Sequence, residues 1–236
     1  KNNPAAQSIS LSIETTKEFA SKNCQPVVIT SDSNNLVDLP NFESKVTENY
    51  KEGVKIVTLK TLKYTVAKSV RRILSWIHFE WNLFWLEKKT LPKPDVIIVS
   101  SPSILTILNG FFLKKKYKCK LVLEVRDIWP LVLMEVGGFS PYNPFILFLG
   151  FIERWSYKQS DLIVGTMPNL SEHVKQVLGY SKLVDCIPMG LDQSMIKNVQ
   201  SITPEYVKQY LKPKYFNIVY AGTLNASNAI DIFFKA

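Results

Sequence analysis

Short apolar, β-branched runs alternate with longer amphipathic stretches along this chain, and that alternation limits the fold more than any other feature. PVVIT at 26–30, GVKIVTL at 53–59, DVIIVS at 95–100, CKLVLEV at 119–125, DLIVGT at 161–166 and LVDCIP at 183–188 read as strands. Helical stretches fall between them at 62–88, 104–116, 143–159 and 167–179, while 31–53 reads as a polar loop. Strand–helix–strand repeats of this kind build a parallel sheet through right-handed crossovers, so the predicted class is α/β. Residues 1–25 read as a helix with no strand ahead of it, which places the sheet's expected opening strand upstream of residue 1.

Within this pattern the stretch LVLEVRDIWP at 121–130 stands out. It begins as an apolar run suited to a strand buried on both faces and breaks into Arg126, Asp127 and Trp129. Ligands of open parallel sheets bind just beyond the carboxyl ends of the strands, so these three are candidate site residues. The alternative is an Arg126–Asp127 ion pair that only holds a loop, with Trp129 as core, because ion pairs occur in sites and scaffolds alike.

After residue 190 the pattern changes. Residues 193–201 are polar, and TPEYVKQYL at 203–211 reads as a short helix with Thr203 as N-cap and Pro204 in its first turn. FNIVYAGTLN, from Phe216, then restarts a strand-to-glycine-turn pattern, and DIFFKA at 231–236 begins another helix. The expected organisation is one domain over 1–190, a linker over 191–214, and the first βα unit of a second domain over 215–236.

Charge narrows the partners. Lys and Arg number 29 against 20 Asp and Glu, a net charge of +9, which suits nucleic acid, an anionic membrane or phosphorylated ligands. Much of the basic character sits in KTLKYTVAKSVRRILSWIHFEWNLFWLEKK at 60–89. Apolar residues there follow a helical stripe, with Lys63, Lys68, Arg71 and Arg72 in its first half and Trp76, Trp81 and Trp85 in its second. A basic helix carrying tryptophans is suited to lie on anionic headgroups; alternatively the stripe packs on the sheet and the charges form a solvated face. No nucleic-acid-binding module is recognisable, so no nucleic-acid partner is expected. Cys24, Cys119 and Cys186 lack metal-ligand spacing and read as buried free thiols of a reducing cytosol. Two histidines, His78 and His173, argue against a histidine-rich metal site or a Ser-His-Asp triad. No apolar run reaches the ~20 residues that span a bilayer.

Taken together and in order, EVRDIWP, FIERWSYKQSDLIVGTMPNL, IPMGLD and FNIVYAGTLNASNAIDIFFKA resemble family 4 of the retaining glycosyltransferases. The likeness is to the bacterial branch that builds capsule, O-antigen and related surface glycans. It implies a GT-B enzyme with two Rossmann-like domains, helices on both sheet faces, an acceptor-binding amino-terminal domain and a donor-binding carboxy-terminal one. On that resemblance Asp127 and Arg126 are catalytic, with Asp127 orienting or deprotonating an acceptor hydroxyl and Arg126 meeting phosphate. Trp129 and Glu124 contact the acceptor, and Gly222 and Thr223 approach the donor diphosphate. The implied substrates are a nucleotide sugar and a saccharide or polyprenyl-diphosphate-linked acceptor. No metal is expected, since the chain lacks an Asp-x-Asp motif. Lys63, Lys68, Arg71, Arg72, Trp76 and Trp81 would touch an anionic membrane, placing the protein at the cytoplasmic face of the plasma membrane. Two other readings remain: a non-catalytic docking subunit of a two-part transferase, and a GT-B nucleotide-sugar epimerase.

Overall fold

The computed structural model describes residues 16–33, 43–64, 69–101, 103–188, 201–212, 214–220, 222 and 230–235. Two sheets carry the architecture. Strands β1 (Val27–Ser31), β2 (Val46–Lys51) and β3 (Val54–Leu59) form one in the order β1-β3-β2, with β1 parallel and β2 antiparallel to β3. Strands β4 (Val96–Ser100), β5 (Lys120–Val125), β6 (Leu162–Gly165) and β7 (Val184–Cys186) form the other, all parallel and in chain order. Residues 16–21 are helical and are taken as α1. Helix α2 (Val70–Trp85) joins the sheets, α3 (Thr106–Tyr117) links β4 to β5, α4 (Leu131–Glu135) and α5 (Pro144–Gln159) link β5 to β6, and α6 (Leu170–Leu178) links β6 to β7. The parallel sheet flanked by helices is the Rossmann-like α/β arrangement expected from the alternation.

One core lies between α3, α5 and α6 and a single face of the larger sheet. Val99, Leu121, Leu123, Val125 and Ile163 meet Ile107, Leu149, Ile152, Leu170 and Val174 there. Strand β5 is fully buried on that face, at Leu121, Leu123 and Val125, and half-buried on the other, at Val122 and Glu124. A smaller core joins Val57 and Leu59 of β3 to Leu83 of α2.

Several boundaries differ from the sequence reading. Strand β2 lies where a polar loop was expected, because VTENYK has no apolar alternation and is held as an edge strand by its ladder to β3. Glu52 and Gly53, at φ 50° and 80°, make the tight turn between them. Helix α2 begins at Val70 rather than 62: Ser69 caps it by accepting from the Arg72 amide at 3.3 Å, and 61–64 are non-helical. It ends at Trp85, where the Lys88 ammonium donates to the carbonyls of Leu83, Phe84 and Leu86 at 2.8, 3.0 and 3.0 Å. Helix α5 starts as expected, with Asn143 accepting from the Phe145 amide at 2.9 Å and Pro144 in its first turn. The cysteines are free, but Cys24 and Cys186 are exposed and Cys119 is half-buried. They sit before β1, at the end of the short strand β7 and after α3, outside the cores. The strand expected from Phe216 is not formed: 216–220 are irregular and exposed, since a strand needs a neighbouring ladder and none of the described residues supplies one. Helices follow at Pro204–Tyr210, N-capped by Thr203, and at Ile230–Lys235.

Candidate site at the carboxyl edge of the strands

Beyond the carboxyl end of β5, an inner strand, the chain places Arg126, Asp127 and Trp129 as expected. Arg126 does not pair with Asp127. Its Nε lies 3.4 Å from Glu124 Oε1, one residue inside the strand end, and its amide donates to Ser101 Oγ at 3.1 Å. Ser101 in turn donates its amide to the Glu124 carbonyl at 3.0 Å, tying the end of β4 to that of β5. The Asp127 carboxylate is exposed and has no ion pair or hydrogen bond among the described residues. This separates the two charges: one is held against the sheet and the other stays available to a ligand.

Trp129 is half-buried, its ring edge-on to Trp76 of α2 at 5.8 Å between centroids, and the Arg72 guanidinium sits 4.7 Å over the Trp76 ring. The hydroxyls of Ser100 and Ser103 and the Trp129 indole nitrogen are sequestered with no hydrogen-bond partner among the described residues. Buried polar groups in folded proteins are normally satisfied, so these atoms retain unused hydrogen-bonding capacity at the edge where a ligand would sit.

The same edge of the smaller sheet carries a second polar cluster. Asp32, 1% exposed, accepts from the Thr61 amide at 2.7 Å and the Thr61 hydroxyl at 3.2 Å and pairs with the Lys63 ammonium at 3.0 Å. Ser31 and Thr61 hydroxyls are 2.7 Å apart. Helix α2 touches both clusters, since Ser75 donates to the Thr61 hydroxyl at 3.5 Å while Trp76 meets Trp129. Sequence reading missed Asp32, Thr61, Ser100, Ser101 and Ser103. The signal was present: VVITSDS and VIIVSSPS each break from an apolar run into small polar residues, just as LVLEV breaks into Arg-Asp.

Of the six expected membrane contacts, three face the fold. Lys63 is engaged by Asp32, and Arg72 and Trp76 form the stack leading to Trp129, because α2 packs through the side that bears Ser75, Trp76, Phe79 and Leu83. Arg71 and Trp81 face outward, and Lys68 lies outside the described residues. Exposed with them are Val70, Leu74, Ile77, Phe84 and Trp85. The apolar stripe therefore points away from the sheet, contrary to the alternative in which it is core. Gly222 is exposed, and Thr223 lies outside the described residues.

Two other clusters are structural. Glu80 of α2 accepts from Thr106 and Asn109 of α3, the latter at 2.7 Å, and burial raises its carboxyl above the ordinary range despite those bonds. Glu153 accepts from the Tyr157 hydroxyl at 3.1 Å and lies 2.7 Å from His173 Nε2, joining α5 to α6. Burial, then the adjacent Glu153 charge, pushes the Tyr157 phenol far above its ordinary value, so it stays protonated. A depression of about 420 Å³ lined by Cys24, Val27, Tyr50, Lys55 and Pro92 lies at the opposite, amino ends of β1 and β3. Among the described residues no three His, Cys, Asp or Glu side chains converge as metal ligands, and no helix is long and apolar enough to cross a membrane.

The chain matches no protein-family model and no curated protein.

Proposed function

We propose that this chain forms the acceptor side of a retaining glycosyltransferase that moves a sugar from a nucleotide-sugar donor to a saccharide acceptor in bacterial surface-polysaccharide synthesis. The acceptor is carried on a polyprenyl-diphosphate lipid, and the protein sits peripherally on the cytoplasmic face of the plasma membrane. One observation carries the reading: an exposed Asp127 carboxylate, unpartnered among the described residues, stands beyond an inner parallel strand, beside an Arg126 held by Glu124. A carboxylate so placed can orient or deprotonate an acceptor hydroxyl. The neighbouring guanidinium offers a planar fork to phosphate oxygens, and Glu124 fixes its direction. The half-buried Trp129 ring gives the acceptor an apolar wall. The outward tryptophans of α2 support the membrane location, since indole rings favour the headgroup boundary. Gly222 and Thr223 are assigned to the donor diphosphate, and no metal is invoked.

The test is transfer from a panel of radiolabelled nucleotide sugars into the lipid extract of bacterial membranes incubated with the full-length protein. Wild type should label the extract with at least one donor, and Asp127→Asn should lower that labelling by about 100-fold or more, the usual scale of acid–base assistance. Equal labelling by the variant, or none with any donor, overturns the reading.

A further inference from the structure

Helices α2, α3 and α5 lie side by side, and their contacts show that they run in the same direction. Glu80 and Phe84 of α2 meet Asn109 and Phe112 of α3, while Phe111 and Lys114 of α3 meet Trp155 and the Gln159 carbonyl of α5. Each buries one stripe and leaves another outward. On α3 the outward stripe is Leu108 and Phe112; on α5 it is Leu147, Phe148 and Phe151, exposed by 60%, 51% and 65%. Together with Trp81 and Trp85 of α2, at 63% and 66%, they extend one apolar surface across three helices. Soluble monomers rarely expose contiguous apolar patches beyond a few hundred Å².

The charge on these helices is one-sided. Across all three the only acidic residues are Glu80 and Glu153. The Glu80 carboxylate is taken up by Thr106 and Asn109 between α2 and α3, and Glu153 is 4% exposed. The exposed charges are Arg71, Lys115, Lys116, Arg154 and Lys158, all basic. Glu87, just past α2, is matched by Lys89 at 3.4 Å. The exposed charges on the three helices themselves are thus all cationic, with the exposed carboxylate of Glu172 on the adjoining α6. An apolar surface so charged fits an anionic bilayer, which takes the rings below its headgroups and the lysines and arginines among them.

We infer that the membrane-docking surface is this three-helix face and that α5, through Leu147, Phe148 and Phe151, is as much a part of it as α2. The inference rests on the membrane location proposed above and deepens it. It orients the protein with the plane of the three helices on the bilayer, and it places the amino ends of α2 and α3, beside the Arg126–Asp127 loop, at the membrane surface. A lipid-linked acceptor then reaches the loop without leaving the headgroup layer.

Co-sedimentation of the full-length protein with phosphatidylcholine vesicles, with and without phosphatidylglycerol, tests it at low and high salt. Wild type is compared with Trp81→Ser/Trp85→Ser on α2 and with Phe148→Ser/Phe151→Ser on α5, each checked by circular dichroism for a wild-type fold. Wild type should bind the anionic vesicles in a salt-sensitive way, and each pair should weaken binding by about tenfold or more, given the exposed aromatic area removed. Hydrogen exchange of wild type on vesicles gives a second readout, with slowed exchange expected in all three helices. Loss of binding by the α2 pair alone, with α5 exchange unchanged, overturns the three-helix face and leaves the membrane location standing. A vesicle-independent dimer that the α5 pair dissolves likewise overturns the three-helix face alone, whereas wild type that ignores anionic vesicles overturns both.

Discussion

Gly110 sets how closely α3 can approach the sheet. A Cβ added there would lie 2.5 Å from Val99 Cγ2 and 3.1 Å from Leu121 Cδ1. Ordinary carbon contacts are about 3.5–4.0 Å, so the first is an overlap of about 1 Å. Neither neighbour can yield into solvent, being 5% and 0% exposed, and Val99 is β-branched and stiff about χ1. Gly110→Ala therefore sets two effects against each other. Alanine in a helix interior gains about 1 kcal/mol over glycine, while overpacking costs about 1–3 kcal/mol. With an unyielding neighbour the cost sits at the upper end, for a net loss of about 2 kcal/mol. In a protein of this size that lowers Tm by about 4–8 °C. Urea and thermal unfolding, followed by tryptophan fluorescence, would measure it. Val99→Ala removes the clashing methyl, so the double variant should be more stable than the sum of the two single losses predicts, by about 1 kcal/mol. A Gly110→Ala protein as stable as wild type, or strict additivity with Val99→Ala, would refute the close approach.

Two further outcomes follow from the polar clusters. Asp32→Ala should cost about 1–3 kcal/mol, mainly by leaving the buried Thr61 amide unpaired, since the half-exposed Lys63 is compensated by water. Asp32→Asn, which keeps an acceptor, should recover most of that in the same urea titration, and an asparagine variant as unstable as alanine would sink the explanation. Burial holds the Glu80 carboxyl above its ordinary value of 4.5, so the native state binds that proton more tightly than the unfolded chain. Its contribution to stability is greatest below pH 4.5 and is lost as pH rises through the raised value. The Tm of Glu80→Gln should thus improve relative to wild type between about pH 4 and 7, and a constant difference across that range would contradict the assignment.

How far the chain could be read in advance depended on whether a segment's role was written in local periodicity. The parallel strands announce themselves because a strand flanked by helices is apolar along its length, and α5 announces its start because Asn143 and Pro144 are local signals. Strand β2 does not, because an edge strand is specified by its neighbour's ladder and VTENYK carries no apolar stripe. The Arg126–Asp127 loop was legible from the break in β5, but which charge it leaves available was not. That depended on Glu124, two residues back along a strand and so on the same side as Arg126, capturing the guanidinium.

The sequence by itself determined the α/β class, the positions of the parallel strands along the chain and the position of the candidate loop, since each follows from patterns a few residues long. Only tertiary structure decided which side of α2 faces the sheet. Periodicity shows that a helix has an apolar stripe but not where a second partner lies, and here the packed side is the one bearing Ser75, Trp76, Phe79 and Leu83. The same packing brings Arg72 and Trp76 to the loop at Trp129, leaves Leu74, Ile77, Trp81 and Trp85 outward, and sets Phe84 against Phe112. That arrangement depends on contacts between distant residues, Trp76 with Trp129 and Phe84 with Phe112, which no local pattern encodes.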